Sequence, residues 1–228
     1  MLDTGHPFFP TFARLMADAA TRTPVYDLGT SGRFAKETGL VRHVFEESGY
    51  KAGGYRPDRI GGPDGCDFHC DLQDMANIAD GEAGSVICLS VLEHVVDPQR
   101  AVREIARILR PGGLAIVSVP LFYGYHGKSG RVANPIHDQN VPWDVDSRHS
   151  GYGDFWRVTH EGLGLMFAQA GFSRVEVFPI EGRWLALLQL CGLYHRIRRI
   201  PLIAGLLRRM DRPRLGSLTS MHYVRAER

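Results

Sequence analysis

The chain has 228 residues, 44% hydrophobic and 23% charged, with 26 Gly and 13 Pro. This balance excludes a disordered, collagen-like or coiled-coil protein and suits one α/β domain with insertions. Its net charge of +2 is too even for the whole surface to be a nucleic-acid footprint, so any basic function must be local.

The first twenty residues, MLDTGHPFFPTFARLMADAA, carry an early acid and lack the basic stretch and apolar run of an export signal. From residue 25 onward short β-rich runs alternate with helical patterns. PVYDLG lies between a proline and a glycine turn, and RFAKETGLVRHVFEES after it has helix formers with apolar spacing, which together predict strand, turn and helix. YKAGGY, CDFHCDL and GSVICLSVL are further strand-type runs bounded by Gly, Pro and Asp. In DPQRAVREIARIL, Ala101, Ile105, Ile108 and Leu109 share one helical face, Asp97-Pro98 supplies a start and Pro111-Gly112-Gly113 a stop. LAIVSVP is the strand that follows.

Residues 121–157 break this rhythm, being rich in Gly, Pro, aromatics and His with little periodicity, and are too long for a simple connector. The helical pattern EGLGLMFAQAG, the strand SRVEVFPI, a basic apolar stretch over 184–210 and a closing strand SMHYVRAER complete the chain. That basic stretch is interrupted by His195, Arg196, Arg198, Arg199 and Pro201, so it does not span a bilayer. Alternation of this kind predicts a parallel sheet covered by helices, with ligands beyond the C-terminal ends of the strands. Four cysteines, Cys66, Cys70, Cys88 and Cys191, are too few to staple the chain and read as free thiols in a reducing, cytoplasmic compartment.

VYDLGTSGRF, SVICLSVLEHVVDPQRAVREIARILRPGGLAIVSVP and DFWRVTHEGLGLMFAQAGFSRVEV together resemble the class I S-adenosylmethionine-dependent methyltransferases, specifically the methyltransferase-11-like group, over residues 22–178. The resemblance implies a Rossmann-like α/β fold with a seven-stranded, mostly parallel sheet, an antiparallel last strand and helices on both faces. It implies a single domain over 1–228, with a substrate-side insertion at about 121–157 and a basic helical insertion at about 181–215. S-adenosylmethionine is the implied cofactor. A glycine turn after the first strand lets backbone approach a nucleotide-like ligand, and the family pattern points to Asp27, Gly29, Thr30, Ser31 and Gly32 as cofactor neighbours. The loop DLGTSGRF is one residue shorter than the family's DLGxGxGxF.

A second departure concerns the ribose. The family's second strand ends in a carboxylate, a strong acceptor for both hydroxyls, but here Gly54 stands at that position, with Tyr55 and Asp58 as substitutes. Asp71 and Leu72 are implied for adenine, Asp71 being readable also as a helix N-cap for LQDMANI. Ser90 at the fourth strand's end is implied to line the cofactor, and His94 in VLEHV is open between a base and a residue that holds its loop. His94, His126 and His137 are the candidate bases for an acceptor hydroxyl. Tyr125, His126, Lys128, Asp154, Trp156 and Arg157 are the implied acceptor contacts, aromatics beside Asp and Arg suiting a polar ring such as a sugar.

The histidines of the linker, His126, His137 and His149, follow no ligand spacing with Asp138, Asp144, Asp146 and Asp154, so no metal is expected there. Cys66, His69 and Cys70 are accounted for by strand alternation. From 183 to 228, ten Arg face two acids, and with Trp184 and the leucines on two short helices split near Pro201 this resembles an interfacial element. A peripheral membrane contact or lipid-linked substrate, a hairpin packed on the domain and a homodimer face all stay open, and nucleic acid is not expected. The expected function is therefore methyl transfer to an oxygen of a small acceptor: a sugar, a glycolipid precursor or a glycosylated natural product. A catalytically inactive methyltransferase-like binding or scaffold protein is the alternative, motivated by the short loop and the absent acid.

Overall fold

A computed structural model describes residues 2–127, 153–197 and 200–228. Seven strands form one sheet: β1 (Val25–Leu28), β2 (Lys51–Gly54), β3 (Phe68–His69), β4 (Ala83–Leu89), β5 (Leu109–Pro120), β6 (Arg174–Ile180) and β7 (Met221–Glu227). Their spatial order is β3-β2-β1-β4-β5-β7-β6. The pairs from β3 through β5 are parallel, and β7 enters antiparallel between β5 and β6. The expected architecture is therefore present, with SMHYVRAER as the inserted antiparallel strand.

β4 is buried at all seven positions, as a central strand covered on both faces must be. Side chains leave a strand alternately, and the core divides accordingly. Tyr26, Leu28, Val86, Cys88, Ala115, Val117, Val224 and Ala226 face one layer. It is formed by α2 (Pro98–Ile108), which offers Ala101, Val102, Ile105 and Ile108, and α3 (His160–Gln169), which offers Leu163 and Phe167. Val25, Ile87, Leu89, Leu114, Ile116 and Tyr223 face the other layer, led by Phe12, Leu15 and Met16 of α1 (Phe9–Ala20). Caps start both helices of the first layer: Asp97 accepts from the Arg100 amide at 2.9 Å and Thr159 from the Gly162 amide at 3.1 Å.

Three expectations are corrected. RFAKETGLVRHVFEES forms a 3-10 segment, Glu37–Phe45, kinked at Val41 (φ −129°), because Thr38, Gly39 and Val41 are poor helix formers. The LQDMANI stretch forms turns, so Asp71 caps no helix. Its backbone is held from α2 instead: Arg107 donates to the carbonyls of Met75 and Ile78 at 2.9 and 3.0 Å, and Glu104 accepts from the Met75 amide at 2.9 Å. Between β6 and β7 the described residues form three helices rather than two, α4 (Arg183–Leu190), α5 (Tyr194–Ile197) and α6 (Pro201–Met210). Asp211 returns to accept from the Gly182 and Trp184 amides, placing a carboxylate on the α4 N-terminus.

Candidate functional site

The ends of β1, β2, β3, β4 and β5 share one edge of the sheet, and the expected cofactor residues lie along it. Gly29 holds φ +69°, and a Cβ there would meet Val91 at 2.5 Å, so only glycine fits this turn. The Gly29 and Thr30 amides are tied to the Gly53 carbonyl at 2.8 and 3.2 Å, and the Thr30 hydroxyl bonds the Gly32 carbonyl at 2.9 Å. The turn thus leans on β2 instead of opening a helix, since the next helical segment begins only at Glu37. Asp27 is buried and accepts from the Tyr50 and Thr38 hydroxyls. Burial raises its carboxyl to about 6.

A residue that the sequence did not single out completes this corner. Lys36 reaches back so that its Nζ donates to the carbonyl oxygens of Leu89 at 2.5 Å, Gly29 at 3.3 Å and Ser90 at 3.5 Å. The three carbonyls form a cradle that accepts an ammonium. Ser90 itself sits at φ +50°, a strained conformation for a residue with a side chain, with its amide on the Ser118 carbonyl and hydroxyl at 3.0 Å each.

The ribose candidates diverge. Asp58 forms an exposed pair with Arg56 at 2.6 Å, which holds its carboxyl below the usual range, and Tyr55 lies against His69. Gly54 is enclosed: a Cβ would meet Cys66 Sγ at 2.5 Å and the Thr30 carbonyl at 2.9 Å. Asp71 is half-buried and accepts from the Gln73 amide at 2.9 Å, while Leu72 is in the core.

A second cluster forms where the chain returns from the 121–157 insertion. Among the expected acceptor residues, Asp154 carries the tightest set of contacts. Its oxygens meet Arg157 in a two-pronged pair at 2.5 and 2.7 Å and accept the His126 amide at 2.9 Å. Burial pushes this carboxyl up, but Arg157 and His126 together hold it below its ordinary range. Arg157 also reaches the carbonyls of Tyr123, Gly124 and Trp156, and Trp156, partly exposed, donates to the Val95 carbonyl at 2.8 Å. The Phe155 and Trp156 amides both approach the Glu93 carbonyl. These bonds bring 123–127 and 153–157 together over the loop after β4.

Under that cover lie Glu93, His94 and His126. Glu93 is fully buried, with His126 Nε2 at 3.6 Å and His94 Nε2 at 3.7 Å from the same carboxylate oxygen. Glu93 raises the His126 pKa, whereas burial lowers that of His94. Tyr125 stands apart, exposed. His137 and Lys128 lie outside the described residues, as do His149, Arg198 and Arg199.

Known proteins resemble this chain in sequence and in fold. Residues 57–117 match the family model described as a methyltransferase domain. The chain is 43% identical over 116 residues to the human thiol S-methyltransferase TMT1B, covering 50% of this chain and 43% of that protein. It is 28% identical over 157 residues to a probable S-adenosylmethionine-dependent methyltransferase of Mycobacterium tuberculosis, covering 67% of this chain and 43% of that one. The matches thus span less than half the length of these curated relatives. In structure it resembles an S-adenosylmethionine-dependent methyltransferase from Mesorhizobium loti at a TM-score of 0.57 and 16% identity, over 98% of this chain and 99% of that one, a likeness of fold. With the strand order and the VLEHV, DP and LRPGG stretches in place, these similarities support a class I S-adenosylmethionine-dependent methyltransferase, the family match itself covering residues 57–117.

Proposed function

We propose that this protein transfers the methyl group of S-adenosylmethionine to a small, membrane-associated acceptor, at an oxygen. The observation that carries the first half is the turn after β1, where Gly29 at φ +69° admits no Cβ, at the strand ends beside Asp71 and Leu72. The turn brings bare backbone to the strand ends, where a nucleoside can approach closely, and Lys36 braces it by donating to the Gly29, Leu89 and Ser90 carbonyls. These residues fit the group. When bound, it supplies an already activated methyl on sulfur, so the chain's own task is to align the acceptor and exclude water, effects of large magnitude. Asp71 and Leu72 would flank the base, and Asp58 or Tyr55 would serve the ribose in place of an acid at Gly54.

Titration with S-adenosylhomocysteine tests this. Binding is expected, and Asp71→Ala should weaken it about ten- to a hundredfold, the worth of a charge-assisted hydrogen bond at about 1.5–3 kcal/mol. Absence of binding in the native protein would favour a binding or scaffold role instead.

The acceptor reading is supported by the helices between β6 and β7. Trp184, Leu187, Leu190, Leu193, Leu202 and Leu206 are exposed there, Leu202 at 86%, beside exposed Arg183, Arg196, Arg209 and Arg212. A basic apolar surface of this kind suits an anionic bilayer, each cation near it being worth about 1 kcal/mol, and it would bring a lipid-linked glycan to the sheet edge. No helix among the described residues is long and apolar enough to cross a membrane. Co-sedimentation with anionic vesicles is expected at low salt and should be lost at high salt or with neutral vesicles. A protein that stays in the supernatant throughout would point to a water-soluble acceptor, and transfer to a simple thiol, the substrate class in the human relative's name, would replace the oxygen.

A further inference from the structure

The hydrogen bonds around Glu93, His94 and His126 fix where the protons are. His126 Nδ1 faces two acceptors, the Gly124 carbonyl at 3.1 Å and Asp154 Oδ2 at 3.3 Å, so in the neutral ring that nitrogen carries the hydrogen. Its Nε2 is then a bare lone pair, pointing at a carboxylate oxygen 3.6 Å away. His94 lies beside it, with Nδ1 2.5 Å from the Gly153 carbonyl, which can only accept, and Nε2 3.7 Å from the same Glu93 oxygen. Neither oxygen of the fully buried Glu93 has a hydrogen-bond partner among the described residues. Electron pairs from a carboxylate and an imidazole thus converge on one small volume, which demands a positive charge at its centre.

We propose that Glu93, His94 and His126 bind one divalent transition-metal ion of the zinc class. All three donor atoms lie within 4.8 Å of one another. Bonds of about 2.0–2.2 Å directed to the corners of a tetrahedron separate ligand atoms by about 3.3–3.6 Å, close to the 3.6 and 3.7 Å observed. The outer contacts match too. A metal-bound histidine commonly donates its other nitrogen to a carboxylate or carbonyl, as His126 does to Asp154 and Gly124 and His94 to Gly153. Asp154 is itself held by Arg157, which keeps it an orienting group. Two imidazoles and a carboxylate select zinc, cobalt or iron over magnesium or calcium and leave a fourth position open.

That open position defines the ion's role, which rests on the methyl-transfer reading. An acceptor hydroxyl bound there loses its proton to solvent more readily. Its oxygen then bonds the methyl carbon as the carbon–sulfur bond breaks, and the electron pair leaves on a neutral thioether.

Cobalt(II) titration of the chelator-stripped full chain, read by visible absorption, tests the site without any turnover. One ion per chain is expected, with the bands of a tetrahedral N- and O-ligated ion, and Glu93→Gln and His126→Ala should each weaken binding at least tenfold. Titration with S-adenosylhomocysteine is run in parallel on every variant. Cobalt binding without nucleoside binding would keep the metal site and remove the methyltransferase role; nucleoside binding without cobalt would do the reverse, leaving an imidazolium–carboxylate pair. Absence of cobalt bands, or bands that survive both substitutions, overturns the site. Should Glu93→Gln not fold, His126→Ala decides, since that ring is 28% exposed.

Discussion

Arg157→Ala is expected to lower the unfolding free energy by about 3–5 kcal/mol, the cost of leaving one charge of a buried pair uncompensated. The orphan is Asp154, whose side chain has no exposed surface and whose two oxygens Arg157 holds at 2.5 and 2.7 Å. The same substitution frees the carbonyls of Tyr123, Gly124 and Trp156, so segments 123–127 and 153–157 lose their common fastener. Turnover should fall about a hundredfold, the penalty for a misplacement near 1 Å. Arg157→Lys keeps the charge without the planar fork and should lie between the two. Urea unfolding reads the first effect; a loss below about 1 kcal/mol would mean that Asp154 is neutral or reached by water.

Gly54→Asp, which restores the acid that the family places at the second strand's end, is expected to destabilise the protein by about 3 kcal/mol or more. Nor should it tighten nucleoside binding. The obstacle is space: a Cβ at Gly54 meets Cys66 Sγ at 2.5 Å and the Thr30 carbonyl at 2.9 Å, and its backbone has no left-handed φ to blame. The incoming carboxylate would also meet the Thr30 carbonyl oxygen and a thiol whose hydrogen is already donated to that carbonyl. Cys66→Ala in the same chain should recover part of the loss. Thermal unfolding of single and double variants checks this, and a stable single variant with tighter binding would mean that the turn yields and the family's ribose contact can be made here.

How far the fold could be read from the chain depended on how local the determinants are. Asp97-Pro98 and the one-sided apolar set of DPQRAVREIARIL define α2 within thirteen residues, and the unbroken apolar run of GSVICLSVL could only be a covered strand. The turns after Asp71 went the other way because their shape is imposed from outside, by Arg107 and Glu104 on Met75 and Ile78, whereas in Glu37–Phe45 the weak helix formers Thr38, Gly39 and Val41 were present in the sequence and outweighed the apolar spacing. Helix α1 has its signal in the spacing of Phe12, Leu15, Met16 and Ala19 behind Pro10.

The site divides in the same way. Glycines at 29 and 32 announce themselves, whereas Lys36 is an ordinary lysine until the fold turns its ammonium onto three carbonyls. His126 and Glu93 are 33 positions apart and obey no ligand spacing; strand order alone makes them neighbours.

The place of β7 bears on how the protein comes to be folded. β5 ends at Pro120 and β6 at Ile180, yet neither can pair along that side until Met221–Glu227 arrives between them. On the ribosome, two hydrophobic strands therefore wait with open edges through the synthesis of the helices α4 to α6, whose own surface is apolar. Long-range pairing of this kind is slow and exposed to aggregation. The nascent chain should depend on chaperones until its last strand closes the sheet, and substitutions that weaken β7 should lower yield before they lower the stability of the finished molecule.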